Sequence, residues 1–143
     1  MISPQNAFLI TQALNEAIWG ADWSQTPGWQ GTGFRARELK RRDIAGKTGT
    51  TNEAKDAWFS GFNSHMATTV WVGFDTPTTL GRSEVGGRAS LPIWMEYMEL
   101  ALQSYPDIPF TQPDGLVNIP IDRDTGQAVP VSTPGALSEV FRI

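Results

Sequence analysis

The sequence predicts an α+β domain in which an antiparallel sheet packs against helices. Three runs with strand character, residues 43–51, 56–62 and 68–75, are separated by short connections. Such connections join antiparallel neighbours, whereas parallel strands need crossovers of about a dozen residues or more. Segments with the apolar spacing of a helix precede and follow these runs. The combination favours a sheet of sequential neighbours with helices beside it.

The first helix is predicted from its boundary signals and its periodicity. Ser3-Pro4 supplies a hydroxyl cap followed by the imino acid at the first helical position, and Gly20 supplies the stop. Between these signals, apolar residues recur at helical spacing, at Ala7, Ile10, Leu14, Ala17 and Ile18.

The third strand and the second helix follow from residue type. Residues 68–75 are rich in β-branched and aromatic side chains, which suit a pleated surface. A glycine-rich loop, "TLGRSEVGGRAS", then leads to a predicted helix at about residues 91–104, with Pro92 in its first turn.

The amino-acid composition of the chain changes after residue 105. Six of the ten prolines lie between Pro106 and Pro134, so we predict an extended tail partly draped over the domain. The sequence is therefore divided into a main portion, residues 1–105, and a proline-rich extension, residues 106–143.

Composition excludes several classes of function. The 143 residues and 40% hydrophobic content suit one globular domain with a core. A net charge of −4 makes nucleic acid an unfavourable partner. The sequence has no apolar run of the roughly 20 residues that cross a bilayer, and its lack of cysteine excludes disulfides and thiolate sites. We predict no cofactor and no metal.

The segment Gly46-Lys47-Thr48-Gly49-Thr50 can be interpreted in two ways. The letters G-K-T end a phosphate-binding loop, but that loop needs another glycine five places before Gly46, where the chain has Arg41. A phosphate loop also begins a helix, and β-branched residues make a poor helix start here. Nucleotide binding is therefore rejected.

The second interpretation is a substrate-binding strand. The lysine places a cation near reacting hydroxyls, and threonine hydroxyls can hydrogen-bond the carboxylate of a peptide C-terminus. Glycine leaves one face of the strand open to close approach. An edge strand can also accept an extended peptide as an additional strand. K-T-G with these properties is one of three signatures of penicillin-binding proteins and serine β-lactamases.

Several longer blocks carry a more detailed resemblance. "GWQGTGFRARELKRRDIAGKTGTTNEAKDAWFSGF", "TTVWVGFD", "LGRSEVGGRASLPIW" and "PDGLVNIPIDRDTGQ" resemble class A penicillin-binding proteins, the bifunctional peptidoglycan synthases, over essentially the whole chain. The resemblance implies the last three strands of a five-stranded antiparallel transpeptidase sheet with helices on both faces, hence an incomplete domain. It also implies a serine D-Ala-D-Ala transpeptidase at the periplasmic face of the bacterial inner membrane, with a glycosyltransferase domain upstream.

The same resemblance assigns roles to the K-T-G-T residues. Lys47 corresponds to the motif lysine that hydrogen-bonds the serine and lysine of the other two signatures. Thr48 and Thr50 are similar to the residues that hold the terminal carboxylate of a stem peptide or β-lactam, and the Thr50 N–H corresponds to one oxyanion-hole donor. Gly49 is either a bulge or a close-approach position, and the motif favours the latter. Peptidoglycan stem peptides and β-lactams are the expected ligands of the parent protein.

The nucleophile signature is missing from these 143 residues. The positions three before the three lysines are Arg37, Ile44 and Asn52, so S-x-x-K does not occur, and no serine begins an S-x-N. We expect both signatures upstream of Met1 in the same polypeptide, and we expect this chain alone to be inactive. The alternative is a non-catalytic cell-wall or protein-binding module that retains the strand as a scaffold.

Four further expectations concern surfaces. The third strand would lack its usual neighbour, so its unpaired edge predicts self-association. His65 is predicted to be an exposed loop residue rather than a ligand. The basic cluster at residues 35–42 is interpreted as a solvated helix face, with an anionic partner as the alternative. Tryptophans around the first loop are expected to pack rather than stack on sugars, namely Trp19, Trp23 and Trp29.

Overall fold

The protein is described by a computed structural model that covers residues 1–20 and 30–143. Trp23 and Trp29 therefore lie outside the described residues. Within the described ranges the helices are α1 (Pro4–Trp19), α2 (Gly86–Ala89) and α3 (Leu91–Ala101), with 3-10 segments at Phe34–Leu39 and Asn52–Ala54. The strands are β1 (Ala45–Thr50), β2 (Asp56–Phe62), β3 (Ala67–Gly73), β4 (Leu116–Ile121) and β5 (Leu137–Arg142). Two compact units result, one of residues 11–110 and one of residues 1–10 with 111–143.

Helix α1 begins and ends where the sequence signals predict. The Ser3 hydroxyl oxygen accepts a hydrogen bond from the Asn6 N–H at 3.2 Å, which satisfies one of the free donors of the first turn. The Gly20 N–H donates to Glu16 O at 2.7 Å. A Cβ on Gly20 would lie 2.5 Å from that carbonyl oxygen, so the chain leaves the helix at a position that favours glycine.

The larger unit contains a three-stranded antiparallel sheet in the order β1-β2-β3. The β1–β2 register runs from Ala45 opposite Phe62 to Thr50 opposite Ala57. The three predicted strands are confirmed, although β1 and β3 are shorter than the predicted runs at 43–51 and 68–75. Among the described residues, β1 and β3 are the edges of the sheet.

One face of the sheet packs against the helices and forms the core. Phe59 of β2 is fully buried beneath Trp94 of α3, with ring centroids 4.9 Å apart in an edge-to-face arrangement. The Trp94 Nε1–H donates to Thr68 O at 3.1 Å, which ties α3 to β3. The buried cluster consists of Ile18, Ala36, Ile44, Phe59, Leu91, Trp94, Met98 and Leu102.

The opposite side, which we call the outer face, carries the alternate residues of the same strands. Trp58 and Trp71 lie opposite each other on β2 and β3, with centroids 6.1 Å apart, and are 40% and 44% exposed. Beside them the Ser60 and Thr69 hydroxyls share a hydrogen bond of 3.0 Å. By the register, Lys47 and Gly49 of β1 complete this face.

A buried ion pair closes the end of the sheet where β1 begins. Arg41 donates to both carboxylate oxygens of Asp43, at 2.9 and 2.7 Å, and Asn63 donates to Asp43 at 3.1 Å. Burial alone would raise the pKa of the Asp43 carboxyl, but these hydrogen bonds and the Arg41 charge lower it overall. Arg41 also donates to the carbonyl oxygens of Leu102, Tyr105 and Pro106. The pair therefore joins the start of β1 to the segment after α3.

The interpretation of residues 35–42 as a solvated helix face is wrong for two of its arginines. Arg37 donates to Ile18 O at 2.6 Å and to Gly20 O at 2.8 Å, and Arg41 occupies the ion pair with Asp43. The Arg42 guanidinium lies 4.0 Å from the centroid of the Trp19 ring. Trp19 therefore packs, as expected, while the arginines bind carbonyls that are distant in sequence.

The smaller unit contains an element that the sequence analysis missed. Strands β4 and β5 pair antiparallel, from Leu116 opposite Arg142 to Ile121 opposite Leu137. The Gln5 side-chain amide donates to Asp114 O at 2.8 Å, which fixes the start of α1 within this unit. The prediction of an extended tail did not include this pairing. The division at residue 105 remains a prediction.

Candidate functional site

The K-T-G-T residues occupy the edge strand β1, and their main chain alternates in direction. The Thr51 N–H donates to Asp56 O at 3.1 Å, so residues 51 and 56 form a hydrogen-bonded pair. Such pairs alternate along an antiparallel ladder with pairs that do not exchange hydrogen bonds. The N–H and C=O groups of Thr48 and Thr50 are therefore directed away from β2, toward the open edge.

The side chains of the segment alternate between the two faces of the sheet. Lys47 and Gly49 lie on the outer face, whereas Thr48 and Thr50 lie on the face that carries the core. A cation and two hydroxyls on opposite faces can reach the same ligand only at the edge of the strand. The segment could not serve one ligand in the middle of a sheet.

Lys47 extends over that edge. Its side chain is exposed, and its Nζ donates to Thr48 O at 3.0 Å and to Thr48 Oγ1 at 3.1 Å. The carbonyl oxygen of Thr48 is one of the groups directed to the open edge, so the ammonium group lies beside the exposed main chain. The structure thus brings the predicted lysine and the first threonine together.

Thr50 is held from the other side by the loop before α3. Its Oγ1 accepts a hydrogen bond from the Gly86 N–H at 3.1 Å. A hydroxyl has one donor and two acceptor positions, so this contact leaves the Thr50 O–H as a donor for a second partner.

The absence of a side chain at Gly86 allows this contact between the loop and the strand. A Cβ on Gly86 would lie 2.2 Å from Trp58 O and 2.7 Å from Gly49 O, so α2 starts directly against the backbones of β1 and β2. A Cβ on Gly49 itself would lie 3.2 Å from the Trp58 Cβ. That contact lies on the outer face, and the close approach of a ligand at Gly49 stays a prediction.

Sequence reasoning missed Gly86 and Ser90 as neighbours of the site. The Ser90 hydroxyl is buried and donates to Ala57 O at 2.6 Å, and Ala57 lies opposite Thr50. The only signal in the sequence was the paired glycine within "TLGRSEVGGRAS". Nothing in that loop indicates which strand it contacts.

The arrangement suits an extended ligand with an anionic end. An edge strand offers free main-chain groups to a peptide, and a lysine with hydroxyl donors favours a carboxylate. The extended strand also disagrees with a phosphate loop, whose backbone must curl around the anion. The roles of Lys47, Thr48, Gly49 and Thr50 in binding remain predictions.

The described residues also bear on metal binding and on membrane spans. Residues 1–20 and 30–143 contain no group of three or more His, Cys, Asp or Glu side chains placed to hold a metal ion. His65 is exposed and stacks on Tyr105 with centroids 4.5 Å apart, so the expected exposed loop position is confirmed. Over the same ranges, no helix combines the length and apolar character of a membrane span.

Comparison with known proteins relates the whole chain to one group. The sequence is 47% identical over 142 residues to penicillin-binding protein 1A of Pseudomonas aeruginosa, with 99% of this chain and 16% of the relative covered. It is 46% identical over 142 aligned positions to penicillin-binding protein 1A of Escherichia coli. The crystal structure of penicillin-binding protein 1A from Haemophilus influenzae matches 99% of this chain and 21% of that chain, with a TM-score of 0.87 and 42% identity. No protein-family profile matches the sequence.

These matches show that the chain is similar over nearly its whole length to one segment of proteins in the penicillin-binding protein family. The relatives named above are all penicillin-binding protein 1A, the member of that family to which this segment corresponds. The chain spans about a sixth of the length of the curated relatives. The expected fold, helices with the antiparallel strands of an incomplete domain, is confirmed by the structural match.

Proposed function

We propose that this chain supplies the substrate-binding strand of a serine transpeptidase that crosslinks peptidoglycan stem peptides. The nucleophile comes from polypeptide upstream of these residues, together with the second signature. In the complete enzyme the serine attacks the D-Ala-D-Ala bond, the terminal alanine leaves, and an amine of a neighbouring stem peptide accepts the acyl group. A β-lactam acylates the same serine. We place the complete enzyme at the periplasmic face of the bacterial inner membrane.

The observation that carries the proposal is the contact of Lys47 with Thr48 at the edge of β1, toward which the main chain of Thr50 is also directed. The Lys47 ammonium reaches across to the Thr48 hydroxyl at 3.1 Å, although the two side chains start on opposite faces. A cation at this position attracts the terminal carboxylate of the peptide and lowers the cost of moving a proton from the attacking serine.

The main chain of β1 contributes as well. The Thr50 N–H is directed to the open edge, where it can donate to the oxyanion that forms when the serine attacks the carbonyl carbon. Removing one oxyanion donor typically costs about 100-fold or more in rate. The serine's own N–H would provide the second donor, so neither part of the enzyme has a complete oxyanion hole alone.

A non-catalytic binding module is the second candidate, and one observation favours it. The 143 residues contain no S-x-x-K, so they lack a signature that every step of the proposed chemistry requires. In that case the edge of β1 would bind a cell-wall peptide without cleaving it.

Acylation by a fluorescent penicillin distinguishes the candidates. The 143-residue chain is compared with a chimera in which it replaces the matching segment of Pseudomonas aeruginosa penicillin-binding protein 1A. We expect the chimera to be labelled and the chain alone to remain unlabelled. In the chimera, Lys47→Ala should slow labelling on the order of 100-fold or more.

Lys55→Ala is the matched control. Lys55 is another lysine close in sequence, but its Nζ pairs with Glu53 at 2.7 Å in the turn after β1. This variant should label at the rate of the unmodified chimera. Labelling of the chain alone would overturn the upstream location of the nucleophile. A folded chimera that binds penicillin without covalent labelling would favour the binding module.

A further inference from the structure

We propose that Gly86 is a positioning residue whose backbone N–H orients the Thr50 hydroxyl toward the anionic end of the ligand. This inference deepens the proposed function and rests on it, because it adds a residue outside the K-T-G-T strand to the recognition of the carboxylate.

The first step is the hydrogen bond itself. The Gly86 N–H donates to Thr50 Oγ1 at 3.1 Å, and a threonine hydroxyl without a fixed acceptor contact rotates freely about its Cβ–O bond. An N–H bound to one lone pair restricts the directions left for the hydroxyl proton. Thr50 is exposed at the edge, so the remaining directions include those open to a ligand.

The second step is the close approach that glycine permits. Trp58 O and Gly49 O lie within 2.7 Å of the position of a Gly86 Cβ, so any side chain there would force α2 away from the strands. The N–H would then move away from Thr50 Oγ1. The neighbouring glycine is less restricted, because a Cβ on Gly87 would lie 3.3 Å from Thr32 O.

The third step is that the loop is fixed at two points. The buried Ser90 hydroxyl donates to Ala57 O at 2.6 Å, four residues after the contact at Gly86. Ala57 and Thr50 are register partners on adjacent strands. The loop that carries the Gly86 N–H is thus attached to both members of the Thr50–Ala57 pair. This double attachment keeps the distance between the Gly86 N–H and the Thr50 hydroxyl constant when a ligand binds.

Carboxylate selectivity of the chimera tests the proposal. Acylation rates are measured for a penicillin with a free carboxylate and for its methyl ester. The ratio of the first rate to the second is then compared between variants. Thr50→Val and Gly86→Ala should each lower this ratio on the order of tenfold. The double variant should show no further loss, because both changes remove the same oriented donor. Thr50→Ser should retain the ratio.

A purely structural role for Gly86 gives a different result. Gly86→Ala would then slow both penicillins equally and leave the ratio unchanged, which overturns the proposal. Thr79→Val is the matched control, since the Thr79 hydroxyl also accepts a glycine N–H, that of Gly81 at 3.2 Å. This contact is within its own loop, which hydrogen-bonds Ala54 after β1 and not the K-T-G-T residues. Thr79→Val should leave the ratio unaltered. A loss of selectivity as large as that of Gly86→Ala would contradict an effect specific to the Gly86–Thr50 contact.

Hydrogen exchange of the Gly86 amide in the 143-residue chain tests the contact without the Gly86 substitution. Thr50→Val should accelerate this exchange several-fold, while Thr79→Val should leave it unaltered, and equal exchange in both would remove the basis of the inference. Failure of the proposed function would appear instead as no acylation of the unmodified chimera. A chimera that is acylated selectively, and remains selective with Gly86→Ala, would overturn only the role of Gly86.

Discussion

The core face and the outer face of the β1–β2–β3 sheet differ although alternate residues of the same strands form them. Phe59 has no exposed surface and packs at 4.9 Å from Trp94, whereas its neighbour Trp58 is 40% exposed. On β3, Trp71 on the outer face is 44% exposed. Helices α2 and α3 contact the sheet, and Trp94 of α3 packs on Phe59 of the core face. Most of the large buried side chains therefore belong to the core face, although the small residue Ala45 is buried on the outer face.

This difference explains how one strand can have two roles. The threonines of K-T-G-T share the face that is packed by α2, which fixes their positions, while Lys47 lies on the face that is open. A strand interior to a sheet would separate these groups by the sheet itself. Rigid packing and an accessible cation therefore coexist only because β1 is an edge strand.

The largest expected effect contrasts neighbouring aromatic residues. Phe59→Ala should destabilise the chain by about 3–5 kcal/mol, because it leaves a cavity against Trp94. Trp58→Ala, on the outer face, should cost less, about 1–3 kcal/mol, because 40% of the residue is already in water. Urea unfolding of the 143-residue chain measures both. Equal losses would mean that the two faces are equally packed.

A smaller effect is expected at the closed end of the sheet, and it depends on pH. Asp43→Asn should cost about 2–3 kcal/mol at pH 7, since it removes charged hydrogen bonds from Arg41. The pKa of Asp43 is lower in the folded chain than its ordinary value of 3.8. Its contribution is therefore complete above that value and is lost as the pH falls through the lower folded value.

The free energies of unfolding of the unmodified chain and of the Asp43→Asn variant, measured from pH 7 to pH 2.5, check this direction of the pH dependence. The difference between them should be constant above about pH 5 and should shrink below the ordinary carboxyl pKa. A difference that grows on acidification would contradict the lowered pKa of Asp43.

Two adjacent glycines of α2 should respond differently to the addition of one methyl group. Gly86→Ala should destabilise the chain by roughly 1–3 kcal/mol, because its Cβ would meet Trp58 O at 2.2 Å. Gly87→Ala should cost less, since its nearest neighbour would be Thr32 O at 3.3 Å. Thermal unfolding compares the two, and a larger loss for Gly87→Ala would mean that α2 lies differently on the strands.

The smallest effect on stability concerns the edge of β3 that pairs with no other strand among residues 1–20 and 30–143. Asn63 N–H donates to Met66 O at 2.9 Å, so by alternation the Thr69 N–H is directed away from β2. If copies of the chain associate through this edge, Thr69→Pro should reduce association, because it removes an outward N–H donor. It should cost about 1 kcal/mol, because the exposed hydrogen bond with the Ser60 hydroxyl is lost as well. Light scattering over a range of concentrations measures the mass. A concentration-independent monomer before mutation would contradict edge association.

Local signals in the sequence predicted the elements whose boundaries they set. The Ser3 cap and the Gly20 stop gave α1, and the residues of β2 were predicted without error because short connections enclose them. Strands β4 and β5 were missed because fifteen residues, 122–136, separate their paired ends, and Pro120 lies within β4. Proline density indicated irregular structure, while the pairing depends on a partner distant in sequence.

The candidate site shows the same division between local and distant information. The letters of K-T-G-T indicated Lys47, Thr48 and Thr50 on a strand edge, since the chemistry of those residue types is local. The Gly86 contact joins residues 36 positions apart, and Arg37 and Arg41 bind carbonyls whose positions only the fold defines. Charge patterning could not distinguish these arginines from solvated ones.

The smaller compact unit has a consequence for the order of folding. The Gln5–Asp114 hydrogen bond joins residues 109 positions apart, so the two ends of the chain must find each other across most of its length. Closing such a long loop is entropically unfavourable until the intervening chain has collapsed. We therefore expect the contact between the β4–β5 pair and the first turns of α1 to form last. It should follow the assembly of the β1–β2–β3 sheet with α2 and α3.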